Sequence, residues 1–356
     1  IFAWGEFANM DRSIDDDEDP DNAKDVAKDL DELSIARNQR ASKVQMKFDM
    51  DLPSEAMDDE ILSEGILLPE WDWKSQTLVE NKCKVVSLVS NTHADIQLPD
   101  HLKATAKKLR NQFQAITPAR TWHYAQNDGQ EVDLEAYLKF KSDALAGANN
   151  GKNNLYKSLS SGARDLSCLL LADLSLSTDT WVNNDSRVID VIQDSLYLFA
   201  ESLNATGDRF GMYGFSSRKT NPIRIHTLKD FDERYTSNIR GRISAIKPGY
   251  YTRMGAGIRH ATELLKTQVA QQQLLLVLTD GKPNDLDMYE GRYGIEDTKH
   301  AILAARTLGL KVFCVTIDEK ANEYLPNLFG TNGYALIKKV TELPKTLPML
   351  YARLTL

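Results

Sequence analysis

Leu169 to Thr178 reads LLLADLSLST, an apolar run that stops at an aspartate and continues as alternating leucine and serine. The run Leu166 to Ala172 is short and almost continuously apolar, the pattern of a strand covered on both faces in a parallel sheet. Asp173, Ser175 and Ser177 follow at i, i+2 and i+4. In an extended loop such positions point the same way, so one turn presents three oxygens. A second apolar run, Leu274 to Thr279, also ends in a carboxylate, Asp280. Open α/β sheets gather ligands beyond the carboxyl ends of their strands. Two aspartates 107 positions apart are therefore predicted to face one crevice. Thr252, in the separate segment YYTRMGAG, adds a further hydroxyl just before a predicted helix start.

Working outward, strands and helices alternate. A helix is predicted from about Asp185 to Asn204, then strands over Arg209 to Phe215 and Ile223 to His226. Phe231 to Ile246 is of mixed character. Gly255 to Lys266 is a predicted helix, Glu296 to Leu308 another, Lys311 to Ile317 a strand, and Leu343 to Leu354 a closing helix. This alternation predicts an α/β fold with a doubly wound, mostly parallel sheet. Ahead of it, Leu102, Ala106, Leu109 and Phe113 recur at helical spacing within His101 to Ala115, and a second helix is predicted from Asp133 to Leu145. Residues 41–95 otherwise read as irregular, and the Gly/Asn/Ser-rich run Ala146 to Ser161 reads as a linker. Expected units are an acidic, flexible arm over 1–40, a partly helical extension over 41–150, and the α/β domain over 162–356.

Two carboxylates and three neutral hydroxyls suit a hard divalent cation such as Mg²⁺, and leave it incompletely saturated, since Mg²⁺ takes six ligands. An acidic side chain from another protein would complete both coordination and charge. Catalysis would need a base or nucleophile beside these oxygens. His260 falls within its helix, and His93, His101, His123, His226 and His300 are scattered without metal-ligand spacing. Taken alone, Asp-x-Ser-x-Ser also matches turn and capping chemistry. The strength lies in the combination with the Thr252 loop and the second strand end.

Bulk properties narrow the partners. The 356 residues are 42% hydrophobic and 26% charged, with a net charge of −8. Residues 1–70 hold 20 Asp/Glu against 7 Lys/Arg, so the remainder is mildly basic. That distribution disfavours nucleic acid. Cys83, Cys168 and Cys314 form neither a disulfide framework nor a zinc site, which makes a reducing cytoplasm the expected location. No apolar run reaches membrane-spanning length and no signal-peptide pattern opens the chain. A start at Ile1 rather than Met implies part of a longer protein.

The set Asp173-x-Ser175-x-Ser177, Thr252 and Asp280 resembles the metal-ion-dependent adhesion site of von Willebrand factor A domains, with all five positions matched. That family implies a Rossmann-like fold and a Mg²⁺ that recruits an acidic residue of a protein partner. RDLSCLLLADLSLSTDTW, GDRFGMYGFSSR, GYYTRMGAGIRHA, LTDGKPNDLDMYEGRYGIEDT, FCVTIDEKANEYLPNLFG, PEWDW (Pro69 to Trp73) and DGQEVDLEA (Asp128 to Ala136) are similar to the NorD/CbbO group, over roughly residues 69–356. The resemblance implies a non-catalytic adaptor of a MoxR-type AAA+ ATPase ring of the NorQ/CbbQ kind. TDGKPNDLDMYEGRYGIEDT resembles the NorD branch more, which implies activation of nitric oxide reductase by installing its non-haem iron. The CbbO branch would instead imply remodelling of inhibited Rubisco.

Motor activity must lie elsewhere, because no G-x-x-x-x-G-K-[ST] loop occurs. A metal-dependent hydrolase of the phosphatase type would need Asp where Ser175 stands. An extracellular adhesion module would need a secretion signal. The loop Pro283 to Asp297, long, polar and aromatic, is a further expectation: either a partner-docking rim or an ordinary surface loop. Which client residue meets the metal, the stoichiometry with the ring and the role of the acidic arm are not written in the chain.

Overall fold

A computed structural model of the chain describes residues 59–62, 64–90, 95–116, 120–147, 154–161, 165–182 and 186–355. Strands β1 (Asp59–Ile61), β2 (Ile66–Asp72) and β3 (Thr77–Ser90) come first, then helix α1 (Asp100–Ile116). Next are β4 (Arg120–Gln126), β5 (Glu131–Val132), α2 (Leu134–Leu145) and β6 (Tyr156–Ser161). Strand and helix then alternate through β7 (Leu166–Asp173), α3 (Val188–Thr206), β8 (Arg209–Ser217), β9 (Ile223–Lys229), α4 (Ser237–Ser244) and α5 (Met254–Lys266). The chain continues with β10 (Gln272–Thr279), α6 (Arg292–Thr307), β11 (Lys311–Thr316), α7 (Leu325–Phe329), β12 (Tyr334–Leu336) and α8 (Leu343–Thr355).

Strands β9-β8-β7-β10-β11-β12 lie in that order, the arrangement of a doubly wound sheet whose strand order reverses between β7 and β10. Within this set all neighbours are parallel except β8 and β9. Every residue of β7 is buried, which is why its sequence is a continuous apolar run rather than an alternating one. Its even and odd positions feed separate cores. Cys168, Leu170 and Ala172 pack with Ile192, Leu196 and Phe199 of α3. Leu169 and Leu171 pack with Ile258, Ala261 and Leu265 of α5 and Ala301, Ile302 and Ala305 of α6. The predicted stripe Leu102, Ala106, Leu109 and Phe113 is the buried face of α1, and it joins the α3 side.

Several local expectations are corrected. Residues 66–90 are a β-hairpin, not an irregular stretch: β2 pairs antiparallel with β3, and β3 pairs in parallel with β9. Residues on both sides of the 146–161 run thus contribute to one sheet. The hairpin was hidden because its inward positions include Glu70 and Cys83 beside Leu68 and Val85, so the apolar alternation that marks a half-buried strand is interrupted by a carboxylate. Tyr156 to Ser161, expected within a linker, is β6, which pairs with β4 and β5 in a separate three-stranded sheet. Helix α6 begins at Arg292 rather than Glu296, after Gly291 turns the chain at φ 54. The acidic arm lies outside the described residues. Among the described residues no helix is long and apolar enough to cross a membrane.

Candidate metal centre

The register fixes where the two strand-end aspartates stand. Ala172 is level with Leu278 across β7 and β10, so Asp173 and Asp280 leave adjacent strands at the same end, where the strand order reverses. Asp173 is fully buried, and each of its contacts comes from a hydroxyl or a backbone N–H. Its Oδ1 accepts from Ser175 N at 2.9 Å. Its Oδ2 accepts from Thr252 Oγ1 at 3.2 Å and Thr279 Oγ1 at 3.0 Å. Ser175 Oγ and Ser177 Oγ are 2.8 Å apart, and the exposed Ser177 hydroxyl donates to Asp280 Oδ1 at 2.8 Å. All five oxygen-bearing side chains singled out in the sequence therefore belong to one hydrogen-bonded cluster. Thr279 joins them; the sequence reading quoted it without giving it a task.

Local packing explains the placement. After Asp173, Leu176 to Asp179 form a single 3-10 turn, closed by Thr178 Oγ1 donating to Ser175 O at 2.7 Å. Leu174 folds back over Gly214 of β8, where a Cβ would stand 2.2 Å from Leu174 Cδ1. The Thr252 segment is an extended crosspiece tied at several points. Gly249 N donates to Leu174 O and Leu176 N to Tyr250 O, both at 2.9 Å. Tyr251 exchanges backbone bonds with Ser217, and Thr252 with Asn284.

Burial raises the pKa of Asp173, against the opposing hydrogen bonds of Ser175, Thr279 and Thr252. Asp280 is pushed up to about 7, first by burial and then by the charge of Asp173. Two carboxylates thus share a desolvated pocket with hydroxyls and, among the described residues, no basic partner, an arrangement that a divalent cation relieves. Among the described residues no group of three or more His, Cys, Asp and Glu side chains can hold a metal. The donor set fits a hard cation held by carboxylate and hydroxyl oxygens, and not a thiolate or imidazole site.

Immediately after Thr252 comes a second buried polar cluster that the sequence reading missed. Arg253 is 1% exposed. Its guanidinium contacts Glu70, Asp287 and Asp285, the last at 3.3 Å, and lies 4.3 Å from the Tyr289 ring centre. Burial opposes the charge, but Glu70 and Asp287 outweigh it and hold the Arg253 pKa above its ordinary value. Arg259 pairs with the buried Asp297 at 2.5 Å, and Asp297 also accepts from Trp71 N at 2.8 Å and Tyr289 OH at 2.7 Å. Gly255 permits this closeness: a Cβ there would stand 1.9 Å from Asp297 Oδ2. The segment expected as a loop over Pro283 to Asp297 therefore ends inside α6 and is partly inward-facing, with Asp285, Tyr289 and Asp297 buried while Leu286 and Met288 are exposed. A charged residue at an inward strand position, Glu70 in PEWDW, was the available signal.

An open α/β sheet with oxygen donors gathered at its switch point defines a Rossmann-like domain built to hold a ligand or hard cation beyond its strand ends. The chain belongs to the von Willebrand factor type A domain family, whose model matches residues 171–350. Members of that family typically bind a divalent cation. Over 99% of its length the chain is 46% identical to an uncharacterized protein of Pseudomonas aeruginosa, covering 58% of that protein. It is 46% identical to Protein NorD of Stutzerimonas stutzeri over 95% of this chain and 55% of that one. It is 40% identical to Protein NorD of Brucella suis over 99% of this chain and 56% of that one. The chain thus spans little more than half the length of the relatives it matches.

Proposed function

We propose that the chain is the metal-dependent adaptor part of a NorD-type protein, without catalytic activity of its own. In this reading Asp173, Ser175, Ser177, Thr252 and Asp280 hold one Mg²⁺, or another divalent cation. A bound cation supplies a Lewis-acidic position that a carboxylate of a client enzyme can occupy. The client is nitric oxide reductase, made active through insertion of its non-haem iron, and the work is done by a MoxR-type AAA+ ATPase ring of the NorQ kind in the cytoplasm. The observation that carries the reading is the pair Asp173 and Asp280. Burial raises the pKa of both, the charge of Asp173 raises that of Asp280 further, and among the described residues their hydrogen bonds come from hydroxyls and backbone N–H.

Two further observations support a protein partner rather than a small substrate. Ser177 is exposed beside the half-buried Asp280, so the oxygen cluster opens to solvent. Leu176, Trp181, Leu286 and Met288 are exposed on the loops that leave β7 and β10 at this same end. Apolar and aromatic side chains around a polar centre are the composition of a contact surface. Similarity to two proteins named NorD favours the nitric oxide reductase client over a Rubisco client.

A reconstituted assay with the ATPase and the client tests this directly. Asp173→Ala is expected to fold, shown by unchanged circular dichroism, and to lose client activation and Mg²⁺-dependent co-purification of the client. Full activity of that variant would remove the metal bridge from the mechanism.

A further inference from the structure

We propose that Glu70, from the hairpin outside the matched family region, is a positioning residue for the metal site and acts through Arg253 on Thr252. The inference rests on the metal reading above. Its geometry is independent of the ligand set.

Thr252 and Arg253 are consecutive, so whatever orients the arginine orients the threonine's backbone. Each of the three guanidinium nitrogens of Arg253 is taken by a different carboxylate: Nη1 by Glu70, Nη2 by Asp287 and Nε by Asp285. Asp285 and Asp287 belong to the loop that already bonds Thr252 through Asn284. Glu70 comes from β2, 183 positions away in the chain, and takes a guanidinium nitrogen that neither loop aspartate contacts. Glu70 is itself held rigidly. It is 1% exposed, its Oε1 accepts from Tyr293 OH at 2.9 Å, and its Oε2 accepts from Cys83 Sγ at 3.1 Å. Trp71, the next residue, donates its backbone N–H to Asp297 and stacks on His300 with ring centres 3.6 Å apart. The strand carrying Glu70 is thereby seated on α6, and the carboxylate has no freedom to follow a displaced arginine. Groups that hydrogen-bond a metal's ligands typically change affinity by about 10–100-fold when replaced, and Glu70, one step further out, belongs at the low end of that range.

The test measures Mn²⁺ affinity of the full chain by the electron paramagnetic resonance signal of free Mn²⁺, with thermal melting in parallel. Glu70→Gln keeps the shape and removes the charge on which Arg253 aligns. It is expected to weaken Mn²⁺ binding by about tenfold or more. Phe113→Leu, in the core on the other face of the sheet and away from the β2–α6 seat, is expected to lower the melting temperature while leaving Mn²⁺ affinity within about twofold. In a Thr252→Ala background Glu70→Gln should cause no further loss, because an effect transmitted through Thr252 cannot be exerted twice.

Unchanged affinity in Glu70→Gln, an equal loss in Phe113→Leu, or an additive loss with Thr252→Ala would each overturn the positioning role. If Glu70→Gln does not fold, Glu70→Asp, which keeps the charge and shortens the reach, replaces it with the same expectations. Failure of the unaltered chain to bind Mn²⁺ would instead overturn the metal reading, and the positioning role with it.

Discussion

Two buried groups of acid meet at consecutive residues, Thr252 and Arg253, and they are compensated in opposite ways. Glu70, Asp285, Asp287 and Asp297 surround two guanidinium groups, those of Arg253 and Arg259. Among the described residues, the hydrogen bonds to Asp173 and Asp280 come from hydroxyls and backbone N–H. Burying a charge is costly unless it is paired. In the first group four carboxylates share two guanidinium groups, so each acid has a cationic partner within the chain. The second has no guanidinium partner among the described residues, and burial, joined for Asp280 by the charge of Asp173, raises the pKa of both carboxyls. What separates a structural cluster from a binding site here is a missing arginine and not a difference in acidity.

The comparison breaks most visibly if Arg253 is removed. Arg253→Ala leaves three carboxylates facing one another at a site 1% exposed. The expected loss is about 3–5 kcal/mol of stability, the range for breaking one side of a buried ion pair. Urea denaturation of the purified chain measures it, and wild-type stability would mean that the arginine cluster is not what holds the β2–β3 hairpin in place. The next effect has the opposite sign and belongs to the other group. Mg²⁺ at about 100 times its dissociation constant should stabilise the chain by about 2.7 kcal/mol. Asp173→Asn should abolish that gain without lowering the stability of the metal-free protein, because it relieves a repulsion. A Mg²⁺ gain that survives Asp173→Asn would place the cation elsewhere.

The same contrast explains what was legible in the sequence. The uncompensated group was readable because each ligand follows a strand whose apolar run announces it: Leu166 to Ala172 before Asp173, and Leu274 to Thr279 before Asp280. Topology then brings the two strand ends together by a general rule of open sheets. The arginine cluster had no such announcement. Glu70 and Cys83 occupy inward positions of the β2–β3 hairpin, so the cue for a half-buried strand was erased by the groups that make the cluster. Its pairing spans Glu70, Arg253 and Asp287 and follows no local spacing. Thr279 escaped for another reason: a threonine at the last position of a buried strand is accounted for by strand propensity, so nothing local marks its hydroxyl as a donor to Asp173.

The smallest effect separates the two groups by pH. In metal-free buffer the folded Asp280 titrates at about 7, against an ordinary carboxyl value of 3.8, so the pKa is raised by folding. Between those pH values the folded chain keeps a proton that the unfolded chain has released, and stability must fall as pH rises. The contribution is present in full below about pH 3.8 and is lost as pH passes about 7. Burial holds His226 and His260 below their ordinary value, and these neutral imidazoles act in the opposite direction over part of the same range. The difference between the native chain and Asp280→Asn removes that background, since the histidines are common to both. With EDTA present, Asp280→Asn should gain about 1 kcal/mol on the native chain between pH 4 and 8, a value reduced for the partial exposure of Asp280. Saturating Mg²⁺ should reverse the sign above pH 7, because the ionised pair is then the form that binds. A difference that stays flat in EDTA would mean that Asp280 is ionised at no cost, and the contrast between the compensated and uncompensated groups would lose its physical basis.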